Sequence, residues 1–226
     1  MKKLFLLIGI FFLLAYGERG IILPVYFYNL SDWQKLVKLK INMIAIINPL
    51  NGPGNRVDKN YKKFIFELVK NNKIPIGYVY TKWGNRNFKE VKKDIDTWLK
   101  FYPNIKGFFI DEAASDVKKL KYYQNLKRYI NSKGDYLVVL NPGVVPHKAY
   151  FNIADNIVVY ENDVSKLNDE ICFNKSSLIV YGANENQMKV ILKKYKCKYV
   201  YITDGTLPNP YDSLPAYFSK EIELIK

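Results

Sequence analysis

Residues Ile21–Asn29 read IILPVYFYN, an apolar run that ends in aromatic side chains and an amide. A doubly wound open sheet usually places a glycine-rich phosphate-binding turn directly after its first strand. No GxGxxG or P-loop motif follows this run. The first strand therefore favours a closed (β/α)8 TIM barrel, in the α/β class, over the open sheet that is the main alternative.

Seven further apolar runs follow the first one, and amphipathic stretches separate them. Strands are predicted at Ile21–Tyr28, Met43–Asn48, Ile74–Thr81, Lys106–Glu112, Tyr136–Asn141, Asn156–Glu161, Ser177–Gly182 and Lys198–Asp204. Helices are predicted at Ser31–Leu39, Tyr61–Lys70, Phe88–Phe101, Lys118–Ser132, His147–Ile153, Ser165–Cys172, Glu185–Tyr195 and Leu214–Lys226. Continuous apolar strands between amphipathic helices indicate a parallel sheet with both faces covered. Eight such units in about 205 residues fit a barrel of near-minimal size.

The N-terminal residues have the pattern of a secretory signal peptide. Two lysines precede the apolar run Leu4–Leu14, and Ala15–Gly17 supplies small residues at the cleavage spacing. The apolar run is short for a transmembrane span, and an uncleaved N-terminal anchor is the alternative. We therefore expect residues 1–17 to be a signal peptide, residues 18–226 to form one barrel domain, and the protein to be secreted or periplasmic.

Composition limits the kinds of site that the barrel can carry. One His and two Cys are too few for a multi-His or four-Cys metal centre, so we expect no metal and no cofactor. The net charge is +14, but lysine doublets on helix faces explain it, and without a nucleic-acid motif we expect no nucleic-acid partner. Cys172 and Cys197 either form a disulfide at the bottom of the barrel or remain two buried thiols. His147, near a helix start, is expected to be a surface or capping residue.

Acidic side chains end two of the predicted strands. Asp111 and Glu112 end the fourth strand, and Glu161 ends the sixth. A (β/α)8 barrel builds its active site at the C-terminal ends of its strands, and carboxyl groups roughly 5–9.5 Å apart hydrolyse glycosidic bonds. Helix caps or salt-bridge partners of loop lysines are the alternative roles. Because side chains alternate along a strand, only one of Asp111 and Glu112 can point along the barrel axis, and both remain candidates.

Aromatic and polar side chains at the other strand ends are candidates for binding a sugar. The predicted substrate-binding residues are Tyr26, Asn48, Tyr78, Thr81, Trp83, Asn141, Tyr181 and Asp204. Packing in the core or in a loop explains any single aromatic residue of this set equally well.

Short motifs at these strand ends resemble the spherulin 4-like proteins, which are grouped with glycoside hydrolase family 135. The motifs are PVY at 24–26, INP at 47–49, GPG at 52–54, GYVYT at 77–81, GFFIDE at 107–112, NPG at 141–143 and VYE at 159–161. The resemblance implies a (β/α)8 hydrolase that acts on α-linked galactosamine or N-acetylgalactosamine polymers of exopolysaccharide. It also implies that Asp111 is the nucleophile or base, that Glu161 is the general acid/base, and that Glu112 orients the substrate or holds an amine.

Together these observations predict an exported, endo-acting glycosidase. We expect it to be a monomer that binds a polysaccharide substrate and has no stable membrane partner after signal cleavage. Two other hypotheses remain open. One is a catalytically silent, glycan-binding barrel of the cell envelope, and the other is polyanion binding through the lysines, which salt would weaken steeply.

Overall fold

Eight parallel strands close into a barrel in sequence order, with β1 paired to β8. The computed structural model describes residues 19–167 and 171–225. The strands are β1 (Gly20–Val25), β2 (Asn42–Ile47), β3 (Ile74–Tyr80), β4 (Gly107–Asp111), β5 (Leu137–Leu140), β6 (Asn156–Asp163), β7 (Ser176–Tyr181) and β8 (Tyr199–Ile202). The predicted (β/α)8 fold is confirmed, whereas the predicted signal peptide, residues 1–17, lies outside the described residues.

The α-helices of the described chain lie between strands, apart from the last, which follows β8. They are α1 (Leu30–Lys38), α2 (Lys59–Lys70), α3 (Phe88–Phe101), α4 (Leu120–Asn131), α5 (Glu185–Lys194) and α6 (Phe218–Ile225). Helix α1 begins one residue before the predicted start because Asn29 is its N-cap. The Asn29 side chain accepts hydrogen bonds from the N–H groups of Ser31 and Asp32, donors that would otherwise lack a partner in the first turn.

The prediction of α-helices at His147–Ile153 and Ser165–Cys172 is wrong for the described residues. The first segment is a short 3₁₀ helix, Lys148–Asn152, with the His147 side chain as its N-cap, as expected for that residue. The second is only a 3₁₀ turn, Val164–Lys166, followed by irregular chain at 171–173. Strand β6 is longer than predicted because its pairing with β7 continues to Asp163, which leaves a short connection between the two strands.

Cys172 and Cys197 form a disulfide, one of the two alternatives that the sequence allowed. Cys172 lies in the loop before β7, not at the end of a helix, and Cys197 lies two residues before β8. The bond therefore joins the chain at the N-terminal ends of two neighbouring strands. This is the end of the barrel opposite Asp111 and Glu161.

Close packing of α3 against β3 holds Tyr78 in place. A side chain at Gly77 would overlap the indole ring of Trp98, since an added Cβ would lie 2.6 Å from it. The glycine lets the indole reach the strand, where Trp98 Nε1 donates to the carbonyl oxygen of Tyr78 (2.9 Å). Within residues 19–167 and 171–225, no helix is long and apolar enough to cross a membrane.

Candidate active site

Asp111 and Glu161 face each other across Asn141, the residue that follows β5. Asn141 Nδ2 donates to Asp111 Oδ1 (2.7 Å) and also to Glu161 Oε2. The two N–H bonds of an amide diverge by about 120°, so two oxygens bound in this way lie about 5 Å apart. Asn141 follows β5, which lies between β4 and β6 in the barrel. Its amide therefore sets the spacing between Asp111 and Glu161.

Two tyrosines donate hydrogen bonds to the carboxyl oxygens of the two acids that Asn141 does not contact. Tyr78 Oη donates to Asp111 Oδ2 (2.7 Å), and Tyr211 Oη donates to Glu161 Oε1 (2.6 Å). The ring of Tyr26 packs edge-on against both tyrosine rings, with centroid distances of 5.9 Å and 5.8 Å. Burial and the nearby carboxylates raise the pKa of all three phenols, so they are neutral donors at neutral pH.

The two acids differ in their affinity for a proton. Burial, the largest cause, and the charge of Asp111 together raise the pKa of Glu161 to about 7, against the lowering effect of the hydrogen bonds from Tyr211 and Asn141. Burial also raises the pKa of Asp111, against the hydrogen bonds from Tyr78 and Asn141. Because the two groups are close, the second ionisation of the pair is disfavoured. Near neutral pH the arrangement favours an ionised Asp111 beside a protonated Glu161.

Asp111, rather than Glu112, is the acid that points into the mouth of the barrel. Glu112 has a left-handed backbone conformation (φ 49°), which ends the alternation of β4 and turns its side chain away from the axis. Its Oε2 accepts the backbone N–H of Lys82 (3.2 Å). The Glu112 side chain therefore packs against the loop that follows β3, beside the paired acids and not between them.

The hydroxyl group of Thr81 lies inside the turn that carries these acids. Thr81 Oγ1 is within hydrogen-bonding distance of the carbonyl oxygens of Asp111 (3.0 Å) and Glu112 (2.9 Å). It also contacts Tyr123 Oη (3.0 Å), and the side chain is fully buried. The observed contacts of Thr81 are with the protein itself, and they hold the end of β4 in place.

Asn48 and Tyr181, two of the predicted substrate-binding residues, also use their side chains within the protein. Asn48 Oδ1 accepts the N–H of Gly52 (2.8 Å) in the turn after β2. Tyr181 is half-buried at the end of β7, where its hydroxyl donates to Asn162 Oδ1 at 3.3 Å. Neither side chain has a contact with the paired acids among the described residues. Their roles in binding substrate stay predictions.

Asp204 and Trp83 lie at the rim of the mouth. Asp204 is exposed after β8, and its Oδ2 accepts the N–H of Ala216 (3.3 Å). Trp83 is 57% exposed on the loop after β3. Neither residue has a contact with the paired acids among the described residues. Sugar binding by either of them stays a prediction.

Tyr211 is the residue of this site that the sequence analysis missed. It lies in the long loop between β8 and α6, well beyond the end of its strand. A residue at a strand end can be located from the strand pattern, whereas a tyrosine within a loop has no distinguishing pattern. The one usable signal was that loops following barrel strands all lie at the mouth.

In the described part of the chain, no group of three His, Cys, Asp or Glu side chains is placed to hold a metal ion. The site consists of two half-buried carboxyl groups, a bridging amide and three phenols. A proton donor next to a carboxylate is suited to general acid/base and nucleophilic chemistry.

Comparison with known proteins places the chain in a family. The model of the family described as Spherulation-specific family 4 matches residues 20–225. Spherulin-4 of Physarum polycephalum is 30% identical over an alignment of 230 positions, which covers 91% of this chain and 69% of that protein. The crystal structure of Aspergillus clavatus Sph3 in complex with GalNAc has the same fold, with a TM-score of 0.79 and 22% identity over 92% of this chain and 97% of that one. The chain belongs to spherulation-specific family 4, as its strand-end motifs predicted.

Proposed function

We propose that the protein is an exported glycoside hydrolase that cleaves within α-linked galactosamine or N-acetylgalactosamine polymers. The observation that carries this proposal is the pair of half-buried carboxyl groups, Asp111 and Glu161, held by one amide. Two carboxyl groups on either side of a glycosidic bond are the common machinery of glycosidases. The family resemblance supports the choice of an amino sugar.

The proposed reaction begins with Glu161 in its protonated form. Glu161 gives its proton to the glycosidic oxygen as that oxygen's bond to the anomeric carbon breaks, while an Asp111 oxygen attacks the same carbon. Water then replaces Asp111 on the sugar and returns a proton to Glu161. A spacing of about 5 Å between the facing oxygens is that of retaining enzymes, since inverting enzymes need room for a water between the acids. We therefore expect the products to keep the anomeric configuration of the substrate.

Charge favours the acetylated form of the polymer. Free galactosamine is cationic, and a protein with a net charge of +14 repels a cationic chain at long range. N-acetylgalactosamine is neutral, and the related Sph3 has been crystallised with GalNAc. If a deacetylated polymer is cleaved at all, added salt should raise its kcat/KM, whereas cleavage of the acetylated polymer should respond little to salt.

Endo action is supported by aromatic side chains that lie away from the acids. Trp83 and Tyr28 are more than half exposed, on the loops after β3 and β1. Exposed rings of this kind can stack on sugar units on either side of the bond that is cut. A long polymer would then be held across the mouth, as internal cleavage requires.

The test is hydrolysis of purified galactosamine-rich exopolysaccharide, acetylated and deacetylated, by the wild type, Asp111→Asn and Glu161→Gln. We expect each variant to lose activity by about 10³-fold, because each removes a reacting group. Asp135→Asn is the matched control, an exposed acid at the opposite end of the barrel. Equal activity in all four proteins would refute the assigned roles. Binding of the polymer without cleavage by the wild type would instead favour the silent glycan-binding barrel.

Glu112 has a different expected effect from the paired acids. Since it lies beside them and contacts the loop after β3, we assign it to orienting the substrate. Glu112→Gln should then raise KM about tenfold or less while kcat changes little, the pattern of lost ground-state and transition-state binding together. Steady-state kinetics on the acetylated polymer separate the two parameters, and a loss confined to kcat would contradict this role.

A further inference from the structure

The end of the barrel opposite the acids is strongly basic. We call it the basal face, and it consists of the last turns of the helices and the loops that lead into the next strands. Its exposed cations include Lys38, Lys40, Lys70, Lys100, Lys106, Arg128, Lys175, Lys193, Lys194 and Lys196. The exposed acids in the described part of the same segments are Asp135, Asp155 and Glu223. Two of these acids already have lysine partners, Lys127 and Lys220.

Helix stabilisation explains only some of these cations. A lysine in the last turn of a helix interacts favourably with the helix dipole, an effect that is confined to that turn. Lys40, Lys106, Lys175 and Lys196 lie beyond the helices, in the loops that enter β2, β4, β7 and β8. Lys196 donates to the carbonyl oxygen of Leu192 in α5 (3.5 Å), but the positions of the other three lysines bring positive charge to the surface outside any helix.

A cavity of about 330 Å³ opens on the basal face beside the disulfide. Its lining residues are Arg19, Cys172, Phe173, Asn174, Lys175, Lys196, Cys197 and Lys198. The guanidinium of Arg19 donates to the carbonyl oxygens of Leu192 (2.8 Å) and Cys197 (3.3 Å). Carbonyl partners fix the position of the group without cancelling its charge. The cavity is therefore positively charged, as a site for a phosphate group requires.

An exposed aromatic side chain stands at the rim of this cavity. Phe173 is 49% exposed, and one side of its ring contacts Phe151 with a centroid distance of 6.1 Å. The disulfide of the preceding residue, Cys172, ties this loop to the start of β8. A fixed aromatic ring among cations is typical of a surface that meets both the headgroups and the acyl chains of a membrane.

The N-terminal segment of the chain joins the barrel at the same place. Residues 4–14 are apolar in the sequence, and Arg19, which lines the cavity, directly precedes β1. An apolar segment in a membrane, before or in the absence of cleavage, would therefore bring the basal face toward the lipid surface. The exposed Phe173 ring and the apolar N-terminal segment therefore indicate the same partner, a membrane.

We propose that the basal face docks on an anionic phospholipid membrane, with a headgroup phosphate in the cavity and Phe173 inserted at the headgroup boundary. The mouth of the barrel then faces away from the membrane, toward polymer outside it. This inference departs from the expectation of no stable membrane partner. It does not depend on the reaction proposed for the mouth.

The test is vesicle binding by the full chain, measured by flotation. The vesicles are phosphatidylcholine alone or phosphatidylcholine mixed with phosphatidylglycerol, and the readout is the ratio of the two partition coefficients. Taking this ratio cancels the contribution that the apolar segment, residues 4–14, makes to both partition coefficients. We expect the anionic vesicles to be preferred at least about tenfold, and Lys175→Glu/Lys196→Glu to abolish that preference.

The matched control is Lys62→Glu/Lys63→Glu, the same charge change on two exposed lysines in the first half of α2. It should keep the preference within about twofold. An equal loss in both double variants would overturn the proposal, because net charge and not the basal face would then govern binding. Equal partition of the wild type into the two kinds of vesicle would also overturn it. Thermal unfolding of every variant checks that the barrel is intact.

Phe173→Ala distinguishes a membrane from a soluble polyanion. Insertion of the ring predicts weaker binding to anionic vesicles and unchanged binding to polyphosphate in solution. If the variant binds vesicles as the wild type does, and polyphosphate competes fully for the same lysines, the basal face is a polyanion surface and the membrane proposal fails.

Discussion

Asn141 illustrates how much a single side chain contributes to this site. Its amide nitrogen holds Asp111 and Glu161 at a fixed spacing, and its Oδ1 accepts the N–H of Gly143 (3.1 Å). The amide is therefore anchored to the turn after β5 and cannot rotate freely. When two carboxyl groups lie at this distance, the ionisation of one disfavours the ionisation of the other. The position of one amide thus sets both the geometry and the protonation of the acids.

The hydrogen bond from Tyr211 to Glu161 predicts a shift in the pH dependence of activity. The bond favours the ionised form of Glu161, so Tyr211→Phe should raise the pKa of that acid above its value of about 7. Glu161 must be protonated to act as the general acid, and activity falls as pH rises through its pKa. The basic limb of the kcat profile should therefore move about one pH unit upward.

Tyr217→Phe is the control for this prediction, because its hydroxyl donates to the carbonyl oxygen of Ala183 (2.7 Å), away from the paired acids. Tyr211→Phe and Tyr217→Phe each remove only the phenolic oxygen. A basic limb that stays in place in Tyr211→Phe, or that moves equally in both, would contradict the assignment of Glu161 as the acid.

At the scale of secondary-structure elements, the junction of β3 and β4 decides where the acids point. The two strands end side by side, with Tyr80 paired to Asp111, and Thr81 then bonds the carbonyl oxygens of the β4 end. The backbone N–H of Trp83 donates to the carbonyl oxygen of Glu112. This connection supports the left-handed conformation at Glu112, which a side chain adopts only when its surroundings hold it there.

Thr81→Val should loosen this junction. The substitution keeps the shape of the side chain but leaves two carbonyl oxygens and the Tyr123 hydroxyl with one partner fewer. We expect the free energy of unfolding to fall by about 1–3 kcal/mol and kcat to fall with it. Urea unfolding and polymer hydrolysis measure the two effects. Thr206→Val, on an exposed loop, is the control and should change neither.

At the scale of the whole molecule, α6 closes the barrel and carries a buried acid. Glu221 is 0% exposed, and its Oε1 accepts the N–H of Ile202 on β8 (2.8 Å). Its Oε2 has no partner among the described residues. Burial raises the pKa of Glu221 well above the ordinary carboxyl value, so the folded protein keeps this group protonated. The last helix is thus attached to the sheet by a neutral carboxylic acid.

Glu221 makes stability depend on pH in a defined direction. Below the ordinary carboxyl pKa, both folded and unfolded chains hold the proton, and there is no penalty. Above it, the unfolded chain loses a proton that the folded protein keeps, so the free energy of unfolding falls as pH rises, by up to about 1.4 kcal/mol per pH unit. Urea unfolding of Glu221→Gln between about pH 5 and pH 8 should show a smaller decline than the wild type.

The decline should be reduced in Glu221→Gln but not abolished, because the raised pKa of Glu161 acts in the same direction. Glu223→Gln, an exposed position on the same helix, is the control and should leave the wild-type decline unchanged. An identical pH dependence in the wild type and Glu221→Gln would show that this carboxyl group is ionised in the folded protein.

The sequence by itself determined the barrel, the order of its strands and the positions of the paired acids at or near the C-terminal ends of their strands. These features depend on local patterns, because apolar runs and amphipathic periods are properties of neighbouring residues. The barrel rule then converts a position at the end of a strand into a position at the mouth. Asp111, Glu161 and Asn141 could all be named in this way before any contact was known.

Only the tertiary structure decided which of Asp111 and Glu112 points inward, that Tyr211 donates to an acid, and that the two cysteines are bonded. It also extended β6 to Asp163 through pairing with β7, and it placed only a 3₁₀ turn, Val164–Lys166, in the described start of the predicted sixth helix. Each of these outcomes depends on residues distant in sequence. Left-handed backbone at Glu112 is held by Thr81, and Tyr211 meets Glu161 across 50 positions, relations that no local pattern encodes.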